Sequence, residues 1–200
     1  MNKKYKKYFK NTRCRIGRPL NVLFGDRVIL GAEVGVWKGK HSRKLLIEMP
    51  RLELVCIDMW DLHATRKNEN YTNTEGKISR KMKNVEYGLK CYDAAKKTLD
   101  EFSSRCNILK TSSEEAARCY EDNYFDFVYI DACHKYEECK RDILMWLPKV
   151  KVGGYICGHD WNDKRHIKVK RAVKEVRRLT GFDLVGNKNK SGEWLMGPIQ

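Results

Sequence analysis

The stretch VILGAEVGVWKGKHS, residues 28–42, joins a β-branched apolar run to a loop with three glycines in nine positions. The apolar run has the composition of a buried strand, and an amphipathic helix is predicted from His41 to Met49, ending before Pro50. Glycine lets the main chain approach a ligand where a Cβ would collide, and the N–H groups that begin a helix attract anionic groups. The stretch therefore predicts a strand, a ligand-binding loop and a helix.

Apolar segments of strand length alternate with amphipathic segments of helix length along the rest of the chain. The further predicted strands are LELVCID, CNILKT, YFDFVYID and YICGHD, followed by a terminal antiparallel hairpin of FDLVG and EWLMG. Helices are predicted at residues 85–102, 112–120, 137–147 and 167–179. The predicted fold class is α/β: a doubly wound, Rossmann-like sheet of seven mostly parallel strands, with an antiparallel last strand and helices on both faces.

The sequence predicts one domain, residues 28–200, behind a basic N-terminal arm, residues 1–27. That arm has nine Lys or Arg residues against the single acid Asp26. Residues 59–92 begin with a polar, aperiodic segment, and we predict that they form an insertion or lid over the site. No apolar run reaches the roughly 18 residues of a membrane span, and no apolar stretch follows the basic start as in a signal peptide. We therefore expect a cytoplasmic protein.

The formal net charge of +15 favours polyanions or small anionic substrates as partners. A second basic cluster, KRHIKVKRAVKEVRR, covers residues 164–178. Such clusters are usually solvated faces, and nucleic acid or another phosphate-bearing partner is the alternative. The eight cysteines include no CxxC pair and no metal-finger spacing, so we predict free thiols.

Polar residues follow each predicted parallel strand. Because ligands bind beyond the carboxyl ends of the strands in such sheets, we expect a site at this edge. Asp58, which ends the second strand about 20 residues after the glycine loop, is placed to accept the hydrogens of a ribose diol and predicts a nucleoside ligand. The glycine spacing differs from the GxGxxG of dinucleotide enzymes, which disfavours a nicotinamide dehydrogenase. The loop also lacks the GK[ST] of a phosphate loop.

Five segments carry a family resemblance: AEVGVWKG, VCIDMW, LKTSSEEAA, FVYIDACHKYEECKRDI and VGGYICGHDW. In this order and at these separations they resemble class I S-adenosylmethionine-dependent methyltransferases. The motifs IDxxHxYE and GGxxxGHD resemble, more narrowly, the small-molecule O-methyltransferase-like branch, and the likeness covers about residues 28–197. The resemblance implies S-adenosylmethionine as the cofactor and methylation of a hydroxyl on a small acceptor, such as a sugar-like or phosphorylated compound.

The resemblance also implies site residues. Glu33, Gly35 and Gly39 would surround the methionine part of the cofactor, and Asp58 would hold the ribose. The adenine would be bordered by Ser112 and Ser113, and the methyl donor would lie beside Asp131. The cofactor-binding residues implied are Glu33, Gly35, Gly39, Asp58, Met59, Ser112, Ser113 and Asp131.

In the metal-dependent relatives, the acid at the Asp131 position and the residues that end strand five bind a divalent cation. The corresponding ligands here are Asp131, His159 and Asp160. They make Mg²⁺ a poor match and another divalent cation an alternative, since a hard cation prefers oxygen ligands.

His134 lies three residues after Asp131, the offset at which those relatives keep a catalytic base. Imidazole titrates near neutral pH and could take a hydroxyl proton. A role in anchoring the loop is the alternative for His134. The remaining histidines, His41, His63 and His166, are predicted on the surface. Trp60, Tyr71 and Trp161 could line the acceptor pocket, with ordinary packing as the alternative.

Two further functions stay open at this stage. The first keeps the cofactor and makes RNA or protein the acceptor, docked through the basic arm and the helix after strand five. Methylation of base amino groups is disfavoured, because strand four ends in IDAC rather than in [DN]PP[FYW]. The second is a catalytically silent nucleic-acid-binding module, which predicts salt-dependent nucleic-acid binding without affinity for the cofactor.

Overall fold

The computed structural model describes residues 16–60, 85–162, 164–186 and 192–200. The strands in these residues form one sheet in the order β3-β2-β1-β4-β5-β7-β6. They are β1 (Ile29–Val34), β2 (Leu52–Asp58), β3 (Cys106–Lys110), β4 (Phe125–Ile130), β5 (Val150–Gly158), β6 (Leu184–Gly186) and β7 (Trp194–Met196). The first five strands are parallel, and β7 pairs antiparallel with both β5 and β6. This confirms the predicted fold class.

Helices pack on both faces of the sheet. They are α1 (Gly17–Phe24), α2 (Lys40–Glu48), α3 (Val85–Leu99), α4 (Ser113–Arg118), α5 (Tyr136–Trp146) and α6 (Ile167–Thr180). On one face, α1, α2 and α3 bury residues such as Leu20, Leu45 and Ala95. On the other, α4, α5 and α6 bury residues such as Ile143 and Val173. The polar edge of the sheet is thereby held between two apolar layers.

The prediction of an N-terminal arm over residues 1–27 needs correction from Ile16 onward. Ile16 and Leu20 are fully buried, and Phe24 joins them in the core beneath α1. These three residues recur at a spacing of four, which places them on one helix face. The basic residues before Ile16, together with Arg18, hid this apolar stripe in a count of charges. Residues 16–24 belong to the domain.

The predicted insertion over residues 59–92 also extends too far toward the C-terminus. Helix α3 begins at Val85, and Cys91 packs in the core, so residues 85–92 are part of a core helix. Residues 61–84, the rest of the predicted lid, lie outside the described residues. A smaller difference concerns strand five, which was predicted to begin at Tyr155, after Gly153 and Gly154. They lie within β5, where the pairing with β4 shifts between Phe125 and Phe127.

Candidate functional site

The predicted site lies where the strand order reverses. Strands β1 and β4 are parallel neighbours at the centre of the sheet, with Val34 beside Ile130. The strands that follow β1 in sequence, β2 and β3, lie on one side of this pair, and the strand that follows β4, β5, lies on the other. Such a reversal opens a crevice beyond the carboxyl ends of the strands. The predicted cofactor-binding, catalytic and metal-binding residues all fall within the described ranges and lie at this edge.

The glycine loop is shaped first by protein contacts. Gly35 has φ +95°, and a Cβ there would lie 2.2 Å from the carbonyl oxygen of Asp131. Gly39 has φ +72° at the start of α2, and a Cβ there would lie 3.2 Å from the side chain of Leu99. Only glycine lets β1 turn this close to the end of β4. The ligand contact predicted from these glycines remains a prediction, while the packing contact is directly visible.

Asp58 fixes the same loop from β2. Its carboxylate accepts main-chain N–H groups of Val36 at 2.9 Å, Trp37 at 2.7 Å and Trp60 at 2.9 Å. A carboxylate offers about four acceptor positions, so room for one further donor remains. Asp58 thus holds the loop in shape and keeps limited capacity for a ribose hydroxyl.

Ser112 and Ser113 use their hydroxyls inside the protein. Ser112 forms a capping box with Glu115, donating to its carboxylate at 2.7 Å and accepting from its N–H at 3.1 Å. Ser113 donates to Asp142 at 2.9 Å and accepts from the indole N–H of Trp146, also at 2.9 Å. Both hydroxyl hydrogens are therefore committed, so these side chains have no donor left for adenine.

Four predicted residues converge beyond β4 and β5. The Nε2 atom of His134 lies 2.5 Å from Oδ2 of Asp160 and 3.8 Å from Oδ1 of Asp131. The Nδ1 atom of His159 lies 3.0 Å from Oδ1 of Asp160. Asp160 is buried and has φ +61°, an unusual value for a residue other than glycine. This strained backbone places the Asp160 carboxylate between two imidazoles.

The opposite charges in this cluster shift one another's pKa values toward the ionised forms. Burial alone would lower the pKa of His134, but the carboxylates of Asp131 and Asp160 outweigh it and raise that pKa to about 9. The pKa of His159 is raised for the same reasons. Burial would raise the pKa of Asp160, but its two histidine partners hold it well below its usual range. At neutral pH a protonated His134 therefore pairs with an ionised Asp160.

Two histidines predicted on the surface lie at the site, and for them the prediction was wrong. His41 is largely buried, with Nδ1 2.9 Å from Oε1 of Glu33 and its ring stacked on Tyr129 at a centroid distance of 4.1 Å. The ring of His166 lies 4.1 Å from that of His134. The two ring contacts join residues far apart in the sequence, so no local pattern identifies them, and the contact with Glu33, eight residues before His41, depends on the turn between β1 and α2. His63 lies outside the described residues.

Of the predicted aromatic lining, Trp60 packs within the protein, donating its indole N–H to the carbonyl of Trp37 at 2.6 Å. Trp161 lies against Gly186, where a Cβ would be 1.9 Å from the indole nitrogen. Both contacts favour the packing alternative. Tyr71 lies outside the described residues.

Comparison with known proteins supports these observations. A family model described as a methyltransferase domain matches residues 32–161. This range includes the glycine loop and the motifs IDxxHxYE and GGxxxGHD. No curated protein gives a significant match. None of the helices in the described ranges is long and apolar enough to cross a membrane.

Solved structures share the fold at low sequence identity. An O-methyltransferase from Bacillus cereus in complex with SAH has 14% identity and a TM-score of 0.60, covering 98% of this chain and 81% of that one. An O-methyltransferase family protein from Burkholderia thailandensis has 18% identity and a TM-score of 0.61, covering 91% and 53%. Spermidine synthase from Thermotoga maritima has 11% identity and a TM-score of 0.59, covering 98% and 60%. Since the last is not named a methyltransferase, the fold alone does not fix the chemistry.

Proposed function

The chain belongs to the methyltransferase domain family and is an S-adenosylmethionine-dependent methyltransferase, and from this premise we propose that it methylates a hydroxyl oxygen of a small molecule. One observation carries the proposal. Asp131, His134 and Asp160 converge beyond β4 and β5, next to the glycine loop that follows β1. An acid–base cluster beside a nucleoside-binding loop meets the two needs of transfer to a hydroxyl, alignment and removal of a proton.

The cofactor is proposed to lie across the ends of β1 and β2. Asp58 and Met59 are half-exposed at this edge, and Asp58 has acceptor capacity left for a ribose hydroxyl. The main chain of the glycine loop and the N–H groups at the start of α2 face the same edge. The proposed cofactor-binding set stays as the resemblance implies: Glu33, Gly35, Gly39, Asp58, Met59, Ser112, Ser113 and Asp131.

When bound, S-adenosylmethionine supplies a methyl group attached to a positively charged sulfur. The acceptor oxygen gains that methyl group and loses its proton, which His134 is proposed to take at Nδ1, the ring nitrogen that is not paired with Asp160. His134 is itself protonated at neutral pH while it faces Asp131 and Asp160. It can therefore act as a base only after it has lost its own extra proton. Asp160 then orients the ring and stabilises the imidazolium that forms.

The donor set near Asp160 also fits a divalent cation. Ligand atoms of Asp131, His159 and Asp160 lie within 4.8 Å of one another, as do those of His134, Asp160 and His166. Mixed carboxylate and imidazole donors suit zinc, manganese or another transition metal better than Mg²⁺. A cation held by the first group would polarise the acceptor oxygen. Metal content of the purified protein, with Asp131→Asn for comparison, tests this independently of activity.

We further propose that the acceptor carries a negative charge. Lys164 and Arg165 are exposed and directly precede His166, whose ring contacts His134. They place two cations at the edge of the proposed active site, and the net charge of +15 favours anions at long range. A carboxylated or phosphorylated hydroxy compound is the class this edge would recognise.

Calorimetric titration of cofactor-free protein with S-adenosylmethionine tests the proposal. We expect binding, and at least tenfold weaker binding for Asp58→Ala, in which the loop also loses its anchor. With labelled methyl donor and a panel of anionic hydroxy compounds, His134→Ala should lose turnover and keep its cofactor affinity. Asp122→Asn, at an exposed carboxylate far from the site, is the matched control. Absence of cofactor binding to the wild-type protein would overturn the proposal.

A further inference from the structure

Three side chains from separate segments meet beyond the last parallel strand of the sheet. His134 follows β4, Asp160 follows β5, and His166 lies directly before α6. The family model matches residues 32–161, so His166 lies outside the matched range. The contact of His166 with the other two residues is therefore not accounted for by the family match.

These side chains carry donor atoms for a metal ion. Nε2 of His134 lies 2.5 Å from Oδ2 of Asp160, and the rings of His134 and His166 lie 4.1 Å apart at an interplanar angle of 32°. One ligand atom from each of the three residues lies within 4.8 Å of the others. A tetrahedral zinc ion, about 2.0–2.2 Å from each ligand atom, separates these atoms by about 3.3–3.5 Å. Small side-chain rotations would bring all three onto one ion.

The group is open to solvent on the side of its imidazoles. The side chain of His134 is 38% exposed and that of Asp160 is 8% exposed, while His166 is half-buried. An ion can thus reach the two rings from solvent, and the buried carboxylate supplies a negative charge behind them. Two imidazoles and one carboxylate, with a fourth position left for water, form a ligand set that suits zinc.

This group differs from Asp131, His159 and Asp160, the metal ligands that the family resemblance implies. The two groups share Asp160 but use its two oxygens. Nδ1 of His159 lies 3.0 Å from Oδ1, whereas His134 contacts Oδ2. The implied group offers two carboxylates and one imidazole, and the group with His166 offers one carboxylate and two imidazoles. The set richer in nitrogen favours zinc over Mg²⁺.

We propose that His134, Asp160 and His166 form a zinc site that inhibits methyl transfer when it is occupied. The inhibition rests on the proposed function, in which His134 takes the acceptor proton at Nδ1. A neutral imidazole has one lone pair. Zinc at Nε2 replaces the hydrogen that faces Asp160, which passes to solvent, and leaves the other hydrogen on Nδ1. Zinc at Nδ1 covers the base directly, so in either case His134 cannot accept a proton.

The zinc affinity of metal-free protein, measured by competition with a chromophoric chelator, tests the location of the site. We expect His166→Gln to weaken zinc binding at least tenfold, because it removes a direct ligand. His159→Gln is the matched control. It removes the imidazole at the other oxygen of Asp160 and should change the affinity by less than about threefold. Unchanged affinity in His166→Gln, or an equal loss in His159→Gln, would overturn the site.

Cobalt substitution of the wild-type protein gives a second measurement that needs no variant to fold. Co²⁺ held by nitrogen and oxygen ligands in tetrahedral geometry absorbs in the visible range, and we expect such bands and their loss on addition of zinc. A sulfur-to-cobalt band in the near ultraviolet would show that a cysteine, such as the exposed Cys119, holds the ion. That result would overturn the site.

Turnover in the presence of excess Mg²⁺ tests the inhibition. Saturating zinc should lower methyl transfer at least tenfold in the wild-type protein. The half-inhibiting zinc concentration should rise at least tenfold in His166→Gln, with each protein compared to its own turnover without zinc. Unchanged turnover with zinc bound, or turnover that requires zinc, would overturn the inhibition. If the protein does not bind S-adenosylmethionine, the proposed function fails, while the zinc affinities still decide the site.

Discussion

At the scale of single residues, Asp160 is the group on which the proposed active site depends most. It contacts His134 and His159 with its two carboxylate oxygens and adopts a backbone conformation that costs free energy. Asp160→Asn keeps the shape and removes the charge. We expect methyl transfer to fall at least tenfold with S-adenosylhomocysteine affinity unchanged, measured by turnover and calorimetry. Turnover equal to that of the control Asp122→Asn would contradict this role.

Asp142 gives a prediction about stability and pH. It is 5% exposed, and burial, opposed in part by the hydrogen bond from Ser113, raises its pKa from 3.8 to about 6. The folded protein therefore binds this proton more tightly than the unfolded chain. The contribution of Asp142 is most favourable below pH 4 and is lost as the pH rises through about 6, a change of up to about 3 kcal/mol.

Asp142→Asn removes that titration. The unfolding free energy of the variant, relative to wild type, should rise between pH 4 and pH 7, as followed by urea denaturation. The asparagine oxygen can still accept the hydrogen bond of Ser113, so the shape of the site is kept. A difference between the two proteins that stays constant with pH would contradict the raised pKa.

Single residues also show what the sequence can and cannot supply. Glu33, Asp58, Asp131 and Asp160 were predicted because each ends a strand, and strand ends can be read along the chain. The partners of these residues depend on how the chain packs in three dimensions. Val36 and Trp37 reach Asp58 because β1 and β2 are neighbours, and His41 reaches Glu33, eight residues before it, through the turn between β1 and α2. That is why the contact of His41 was missed, and why Asp58 was expected to face a ribose without its main-chain donors.

At the scale of elements, helix α1 shows how charge can hide a core segment. Leu20 is fully buried among residues of the α1–α3 layer, although Arg18 and the basic residues before Ile16 dominate the charge of this part of the chain. Leu20→Ala should lower the unfolding free energy by about 2–5 kcal/mol, measured by chemical denaturation. Val22→Ala, at a position 44% exposed on the same helix, is the control and should change it by less than about 1 kcal/mol. Similar losses in both would contradict the packing of α1.

Arg105 ties three segments together before β3. Its guanidinium donates to the carbonyls of Leu46 at 2.6 Å, Met49 at 3.2 Å and Leu52 at 3.0 Å. It thereby satisfies the end of α2 and the turn into β2. Arg105→Lys keeps the charge and cannot reach all three oxygens. We expect a loss of about 1–3 kcal/mol in unfolding free energy, and a change below about 0.5 kcal/mol would contradict the bridge.

Elements were predictable where periodicity and length agreed. Helix α6, predicted over residues 167–179, repeats Val169, Ala172, Val173 and Val176 on one face, and all four are buried. Prediction failed where an irregular strand can be recognised only from its contacts with other strands. The glycines of β5 look like a turn in sequence, and only their pairing with β4 shows that the strand continues through them.

At the scale of the whole molecule, the distribution of charge and the fold depend on different residues. The net charge of +15 does not decide how the sheet is built, since the apolar layers on each face supply the core. Sequence reasoning could predict the sheet and the edge that holds the site. It could not separate an anionic small molecule from a polyanion, because both respond to the same basic residues.

The C-terminal half of α6 allows these two kinds of partner to be distinguished. Lys174, Arg177 and Arg178 are exposed and lie near the end of the helix farther from His166. Substituting all three by alanine should weaken binding to a DNA duplex of unrelated sequence. The slope of log affinity against log salt should fall by up to about 2.7, because each lost phosphate contact contributes about 0.9. Fluorescence anisotropy at several salt concentrations measures this slope.

Affinity for S-adenosylhomocysteine and turnover of a small acceptor should stay unchanged in the same variant. Duplex binding would then be a non-specific property of a basic surface, separable from catalysis. If turnover falls together with duplex affinity, the basic face of α6 carries the acceptor to the site. That outcome would favour a phosphodiester chain over a small molecule as the natural acceptor.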